Sequence, residues 1–322
     1  MARTSGGTVN HYGQRVRAAL AVAVCSLVAV TTGTFAAPDP DVPYVPTAPN
    51  VVEAMLAIAK VESQDYVVDL GSGDGRIVIA AAKRHGARGF GVDVDEYLVA
   101  RAREAAERAG VGERVQFFAR NLFLTDISRA TVLTMYLYPS INLQLRSRLF
   151  AELKPGTRVV SHDFGMDLWL PDAQLTVPVP DKPYGAPESK VYLWVIPANA
   201  AGTWRWSVGT GEGLVTYEAQ LKQRFQMLSG TARAGGAMAR LEGGRVRGDA
   251  LRFSLTTEAG GRGVRYEFQG RVNGDAITGK VKLAGGVELD WRASRIQRAA
   301  IDITPAPADW KRSQVFPGDS RR

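Results

Sequence analysis

The sequence predicts an α/β domain built on a parallel sheet, followed by a separate antiparallel β domain. Three observations predict it. Between residues 51 and 197, short apolar runs alternate with amphipathic stretches of helical period, the pattern of a parallel sheet with helices on both faces. A glycine cluster, "DLGSGDGR" (Asp69–Arg76), joins the first apolar run to a helical stretch. After Pro197 the period falls to two, in runs separated by glycine pairs and Asn-Gly, which is how hairpins are written.

The elements follow in order. "APDPDVPYVPTAPN" (Ala37–Asn50) holds five prolines and reads as extended. Asn50 is placed to cap a helix with Val51, Val52, Met55, Leu56 and Ile58 on its apolar face. "DYVVDL" (Asp65–Leu70) is an apolar run suited to a strand buried on both faces. "GRIVIAAAKRHG" is the next helix, "ARGFGVDVD" the next strand and "EYLVARAREAAERAG" an amphipathic helix. "ERVQFFAR" and "ATVLTMYLY" (Ala130–Tyr138) are strands, and "INLQLRSRLFAEL" is a helix ended by Lys154-Pro155-Gly156. "TRVVSHDF" is a fifth strand. "QLTVPV" and "KVYLWVIP" make seven, and the lack of a helix between them predicts an antiparallel insertion at one edge.

Residues 202–298 carry the period-two runs "TWRWSV", "LVTYEAQL", "LRFSLTT", "VRYEFQGRV", "AITGKVKL" and "VELDWRA". A weak repeat, "GRVRGDA" (Gly244–Ala250) and "GRVNGDA" (Gly270–Ala276), places a Gly-Asp turn between two strands each time. The aromatic runs "WRW" and "YEF" read as core and sheet face, since alternation produces them without any stacking role. Residues 299–322 read as a flexible tail.

Charge and cysteine usage set bounds. The net charge is +8, and residues 198–322 hold 20 Lys/Arg against 12 Asp/Glu, while residues 37–197 hold 17 against 20. The basic character thus belongs to the C-terminal part. Its arginines are scattered, which favours a solvated surface over a nucleic-acid site, and no nucleic-acid partner is expected. A single cysteine, Cys25, excludes an intramolecular disulfide and a Cys-based zinc site, and no metal is expected. Residues 1–36 read as a signal peptide or membrane anchor: Arg3, Arg15 and Arg17 precede the 13-residue apolar run Ala18–Val30, with small residues at "TFA". Thirteen is short of the roughly 20 a bilayer crossing needs. Export or membrane anchoring is the expected location, with membrane proximity through this segment.

The glycine loop carries the chemistry. Gly71, Ser72, Gly73 and Gly75 follow a strand and open a helix, where a ligand can approach bare backbone and free N–H groups. The spacing is G-x-G-x-G, not the dinucleotide G-x-G-x-x-G, and no lysine follows as in a triphosphate loop. Asp69 sits just before the first glycine, where a carboxylate would repel a pyrophosphate but suits a cationic amino acid. Asp93 closes the second strand and can accept both hydroxyls of a ribose. A ligand with a ribose, no phosphate and a charged amino-acid end fits S-adenosylmethionine.

Over roughly Pro43–Pro197 the sequence resembles class I S-adenosylmethionine-dependent methyltransferases, and within them the archaeal and mitochondrial-type protein-lysine methyltransferases. The segments that carry the likeness are "PYVPT", "DLGSGDGRIVIAAA", "GVDVD", "NLF", "TVLTMYLYPSIN" and "LKPGTRVVSHDF". The resemblance implies a Rossmann-like seven-stranded methyltransferase sheet. It implies that Tyr44, Pro46 and Thr47 close over the methionine end, that Asp69, Gly71, Ser72 and Gly73 line it, and that Asp93 holds the ribose. Asn121 and Leu122 would border the adenine, and Tyr136–Ser140 would flank the methyl-transfer channel. The implied acceptor is a protein lysine.

Methyl transfer asks the protein to align the nucleophile and keep it unprotonated. Tyr136 and Tyr138 are the candidates for shaping an aromatic channel, with core packing as their competing reading, and His162 is the candidate base. A histidine satisfied beneath a loop is the competing reading of His162. On strand alternation, Asp163 would point away from it. Asp-Pro-Pro-Tyr is absent and "YLYPS" stands in its place, which argues against adenine methylation. Two rivals remain: an exported binding or scaffold protein with a degenerate fold, favoured by the leader because S-adenosylmethionine is made inside the cell, and a small-molecule methyltransferase.

Overall fold

The computed structural model describes residues 44–210, 213–259, 262–283 and 285–304. Residues 1–43, with His11, Cys25 and Pro43 of "PYVPT", and residues 305–322 lie outside the described residues. The described residues form one unit.

Seven strands make the first sheet: β1 (Tyr66–Leu70), β2 (Arg88–Asp93), β3 (Val115–Ala119), β4 (Val132–Met135), β5 (Arg158–His162), β6 (Ala173–Pro178) and β7 (Glu188–Val195), in the order β3-β2-β1-β4-β5-β7-β6. All neighbours are parallel except where β7 runs antiparallel to β5 and β6, the predicted edge insertion. The strand order reverses between β1 and β4, and the glycine loop leaves β1 at that point. In open α/β sheets such a switch point is where ligands bind.

Helices α1 (Pro49–Ile58), α2 (Arg76–His85) and α3 (Glu96–Arg108) cover one face, with Val51, Met55, Leu56, Val78, Ala81, Val99 and Ala102 packed on Val67, Val132 and Val160. The other face carries α4 (Pro139–Glu152), whose Leu145 and Leu149 pack with Val68, Leu133 and Val159. Helix α1 begins at Pro49 with Ala48 as its N-cap, so Asn50 lies inside the first turn and does not cap it. Proline suits that first position because its missing N–H has no partner there anyway. Asn50 instead donates from Nδ2 to the Pro178 carbonyl at 2.7 Å.

The C-terminal domain is a closed barrel, not a set of open hairpins. Its strands are β8 (Gly202–Thr210), β9 (Gly213–Arg224), β10 (Met227–Ala234), β11 (Ala237–Arg247), β12 (Ala250–Ala259), β13 (Arg262–Asn273), β14 (Ala276–Lys282) and β15 (Glu288–Arg298). Each pairs antiparallel with the next, and β15 closes on β8. Closure removes the exposed edges that an open sheet would present. Trp204, Trp206, Tyr217, Phe253, Phe268 and Trp291 fill the interior, so "WRW" supplies core and not a stacking platform. The repeated Gly-Asp pairs are the turns between β11 and β12 and between β13 and β14, with Gly248 and Gly274 at φ 59° and 57°. The left-handed φ is what a two-residue turn matched to strand twist demands.

Barrel and sheet share a core. Phe225, in the β9–β10 turn, is 3% exposed and stacks on Trp169 at 6.2 Å, beside Phe150 of α4. Gln226 donates to the Leu170 carbonyl at 2.6 Å, and Arg245 pairs with the buried Asp172 at 2.5 Å. The start of the expected tail is also tied down. Phe225 N–H donates to the Asp302 carbonyl at 3.1 Å, and Ile303 packs against the same cluster. The composition of the tail hides that pairing.

Candidate active site

The glycine loop is shaped by its two neighbouring strands. Gly71 and Ser72 donate their N–H groups to the Val92 carbonyl, each at 2.9 Å. Gly73 N–H donates to Asp93 Oδ2 at 2.8 Å, which aims that carboxylate into the loop. Gly71 and Gly73 have φ of 75° and 51°. A Cβ on Gly73 would fall 2.3 Å from the Tyr44 ring, so glycine is required there by contact as well as by conformation.

Asp69 is 1% exposed and accepts one hydrogen bond, from Thr134 Oγ1 at 2.7 Å. Burial pushes its carboxyl up to about 7, against the Thr134 bond, with the Asp93 charge adding to the rise. The two carboxylates therefore feel one another across the loop. Ser72 Oγ is buried with no hydrogen-bond partner among the described residues. A buried acid with no positive partner among the described residues, beside an unmet hydroxyl and bare backbone, fits a cationic, polar ligand end.

A strap from Tyr44 to Thr47 crosses this edge. The Tyr44 ring lies on Gly73, and its hydroxyl is raised by burial and then by the neighbouring Asp74 charge. Arg76 ties the strap to the loop: Nε and Nη2 donate to Asp74 at 2.9 and 2.6 Å, and Nη1 donates to the Thr47 carbonyl at 2.8 Å. Burial opposes ionisation of Asp74, but the Arg76 hydrogen bonds and charge hold it below the ordinary carboxylate range. Pro46 is exposed on the strap.

His162 is 3% exposed, with Nδ1 3.1 Å from Thr47 Oγ1 and Nε2 2.9 Å from Ser189 Oγ. Burial drives its pKa down to about 4. It is neutral, with both nitrogens engaged, and it anchors the strap. Its contact with Asp163, at 3.5 Å, is therefore no ion pair.

That contact corrects the expectation that Asp163 points away from His162. Strand β5 stops at His162, and Asp163 has φ 60°, which turns its side chain back over the strand end. The reading of "ATVLTMYLY" as one strand is corrected likewise. Strand β4 stops at Met135, and Tyr138 is the N-cap of α4. Pro139, at the first helical position, ends the extended run earlier than alternation implies. The Tyr136 ring stacks on His162 at 3.8 Å, while Tyr136 and Tyr138 both meet Phe164 at 6.1 Å.

Asn121 Oδ1 accepts from Phe123 N–H at 2.8 Å, capping the short turn Leu122–Leu124. Asn121 and Leu122 are half-buried one strand beyond Asp93, since β3 pairs with β2. Sequence reasoning passes over Asp74, Arg76, Thr134, Lys182, Tyr184 and Ser189. The Asp74-x-Arg76 spacing is a signal that could have found two of them, but the other partners come from distant strands. Among the described residues no His, Cys, Asp or Glu group is arranged to hold a metal ion.

A family model described as the ANTKMT methyltransferase domain matches residues 69–173. A protein-lysine N-methyltransferase of Saccharolobus islandicus (strain REY15A) is 46% identical over 158 residues, covering 49% of this chain and 95% of that protein. The chain belongs to this methyltransferase family. The adenine nucleotide translocase lysine N-methyltransferase of Mus musculus is 36% identical over 132 residues, which is 41% of this chain and 57% of the mouse protein. An RNA methyltransferase from Salinibacter ruber, solved with S-adenosyl-L-homocysteine, is 50% identical over 47% of this chain and 93% of that one, with a TM-score of 0.43. Family membership makes this chain an enzyme whose methyl donor is S-adenosyl-L-methionine. The barrel lies outside the matched model.

Proposed function

We propose that the enzyme methylates lysine side chains of proteins. One observation carries the reading of the donor site. Asp69 and Asp93 lie on adjacent strands and flank the same glycine loop, with Asp93 bonded to Gly73 N–H and close enough to raise Asp69. In this reading the bound donor supplies a methyl group on a sulfonium: the lysine nitrogen bonds to the methyl carbon, the carbon–sulfur bond breaks with its electron pair kept by sulfur, and the displaced proton goes to water. Asp69 holds the ammonium of the donor's amino-acid end, and Asp93 accepts from its sugar hydroxyls. Tyr44 and Thr47 close over the cradle, and Asn121 and Leu122 border the base. Tyr136 and Tyr138 flank the passage to the acceptor. His162, sealed and neutral, positions Thr47 and does not serve as the base.

The similarity to lysine methyltransferases from Saccharolobus islandicus and Mus musculus supports the acceptor class. The test is incubation of the full chain with labelled donor and whole-cell protein, with whole-cell RNA in a parallel tube. Label on lysine ε-nitrogens, located by mass spectrometry, is expected. Label in RNA alone, or in neither tube, overturns the acceptor assignment.

The apolar run Ala18–Val30 behind three arginines supports a second reading, that the chain is exported or held at the membrane. Fractionating cells that carry a C-terminally tagged chain checks it. Recovery in the membrane or extracytoplasmic fraction is expected, and recovery in the cytosol overturns it.

A further inference from the structure

The loop between β6 and β7 folds back over the end of β5 and inserts a lysine there. Lys182 Nζ donates to Asp163 Oδ2 at 2.8 Å and to the Glu188 carbonyl at 2.7 Å, and lies 5.9 Å from the centre of the Tyr184 ring. Its side chain and that of Asp163 are each only 11% exposed. A carboxylate, a carbonyl and an aromatic face around one nitrogen are the elements that recognise an ammonium. Surface lysines keep the charged head in water, and this one does not.

Asp163 is shaped for the task. Asp163 lies in the left-handed region at φ 60°, which few non-glycine residues adopt. Lys190 N–H donates to Oδ1 at 2.9 Å and fixes the carboxylate. Oδ2 accepts from Lys182, with the Tyr136 hydroxyl at 3.4 Å and His162 Nε2 at 3.5 Å. Tyr136 also meets the Tyr184 hydroxyl, which links the Tyr184 ring to the Asp163 carboxylate. Burial opposes ionisation of Asp163, yet the Lys182 and Lys190 hydrogen bonds and the nearby positive charge keep it below the ordinary carboxylate range. The place matters as much as the chemistry. Tyr136 is two residues beyond Thr134, which holds Asp69, and β5 is two strands from β1 across β4. Two strand spacings are roughly 10 Å, so this pocket adjoins the donor cradle at the same edge of the sheet.

We propose that the pocket formed by Asp163, Tyr184 and the Glu188 carbonyl receives the ε-ammonium of the acceptor lysine, and that Lys182 fills it as an internal surrogate until the acceptor displaces it. The inference rests on the lysine-acceptor reading above. Exchanging one ammonium for another conserves charge and hydrogen bonds, so opening the pocket costs little beyond the swing of the 179–187 loop. Asp163 then selects a lysine tip and Lys182 sets the threshold for entry.

Steady-state methylation of poly-L-lysine by the full-length chain tests this, with n-butylammonium as a competing bare lysine tip. Lys182→Met keeps the apolar stem and removes the charge. It should lower KM for poly-L-lysine about tenfold and strengthen inhibition by n-butylammonium about tenfold, with donor Kd unchanged. Asp163→Asn should raise KM about tenfold and abolish n-butylammonium inhibition, again with donor Kd unchanged. Lys182→Gln guards against a folding defect in the first variant, and donor Kd reports folding for all three. A merely structural lysine would raise KM when removed. Unchanged KM and inhibition in both Lys182 variants overturn the surrogate, and unchanged KM in Asp163→Asn overturns the pocket. If the wild-type chain binds donor but labels no lysine at all, the acceptor reading falls first and the pocket with it, which differs from lysine labelling that the variants leave unmoved.

Discussion

The C-terminal edge of the first sheet and the interior of the barrel are both sealed from water, yet they are filled with opposite material. The sheet edge buries Asp69, Ser72, Thr134, His162 and Ser189, each 6% exposed or less. Two of them have their ionisation displaced toward the neutral form, Asp69 to about 7 and His162 to about 4. The barrel buries six large aromatic rings, with Trp206 and Tyr217 stacked at 5.2 Å and Phe253 and Phe268 at 4.9 Å. Burying rings releases free energy with little to satisfy, whereas burying a carboxyl and an imidazole consumes it. The sheet edge thus keeps its buried polar groups at an energetic cost, and the barrel is a source of stability.

The sharpest way to separate the two regions is to hollow the barrel. Phe268→Ala should cost about 3–5 kcal/mol in chemical denaturation while leaving donor affinity of the folded chain unchanged by titration calorimetry. A parallel loss of affinity would mean that the barrel shapes the site.

The pH dependence of stability probes the other region. Asp69 is raised from 3.8 to about 7, so the folded state holds a proton that the unfolded state has released between these values. That contribution falls as pH rises and is gone above about 7. His162 is lowered from 6.5 to about 4, so the unfolded state holds the extra proton there, and stability is lost as pH falls through that window. The two slopes oppose one another and the wild type should be nearly flat from pH 4 to 6.5. Asp69→Asn removes one of them, and its stability should rise with pH by on the order of 3 kcal/mol across that range. A variant as flat as the wild type would contradict this account of the buried pair.

Donor binding gives a somewhat smaller effect. Removing a charge-assisted hydrogen bond costs about 1.5–3 kcal/mol, so Asp69→Ala should weaken the donor roughly 100-fold and Asp93→Ala about tenfold. Affinity should also strengthen as pH rises through about 7, where Asp69 ionises. Unchanged heats in both variants would remove the site.

The smallest effect belongs to the seam. Arg245 is partly exposed but its partner Asp172 is fully buried. Arg245→Ala should cost about 1–2 kcal/mol, less than breaking a fully buried pair. Melting curves check it, and a loss above that range would show the seam to be as dry as a core.

What is legible in the sequence divides along the same line. The order of strands and helices follows from apolar period, and the cradle from the glycines and the two acids that bracket them. The period-two runs predict antiparallel strands but not closure, because nothing local marks that β15 will meet β8. Asp163 is misplaced when alternation is carried past the end of β5, where the backbone turns left-handed. Lys182 is invisible because its partner lies on another strand and its own stretch reads only as a Pro-rich turn. Pairings between distant residues with no periodic signature are what a linear reading omits.

Phe225 has one more consequence. Seated among Trp169 and Phe150, it plugs the face of the sheet that α4 leaves bare. Trimming the chain at Pro197 would leave an oily socket open to solvent, so the two halves were shaped as mutual lids and inherit one another's fate on heating.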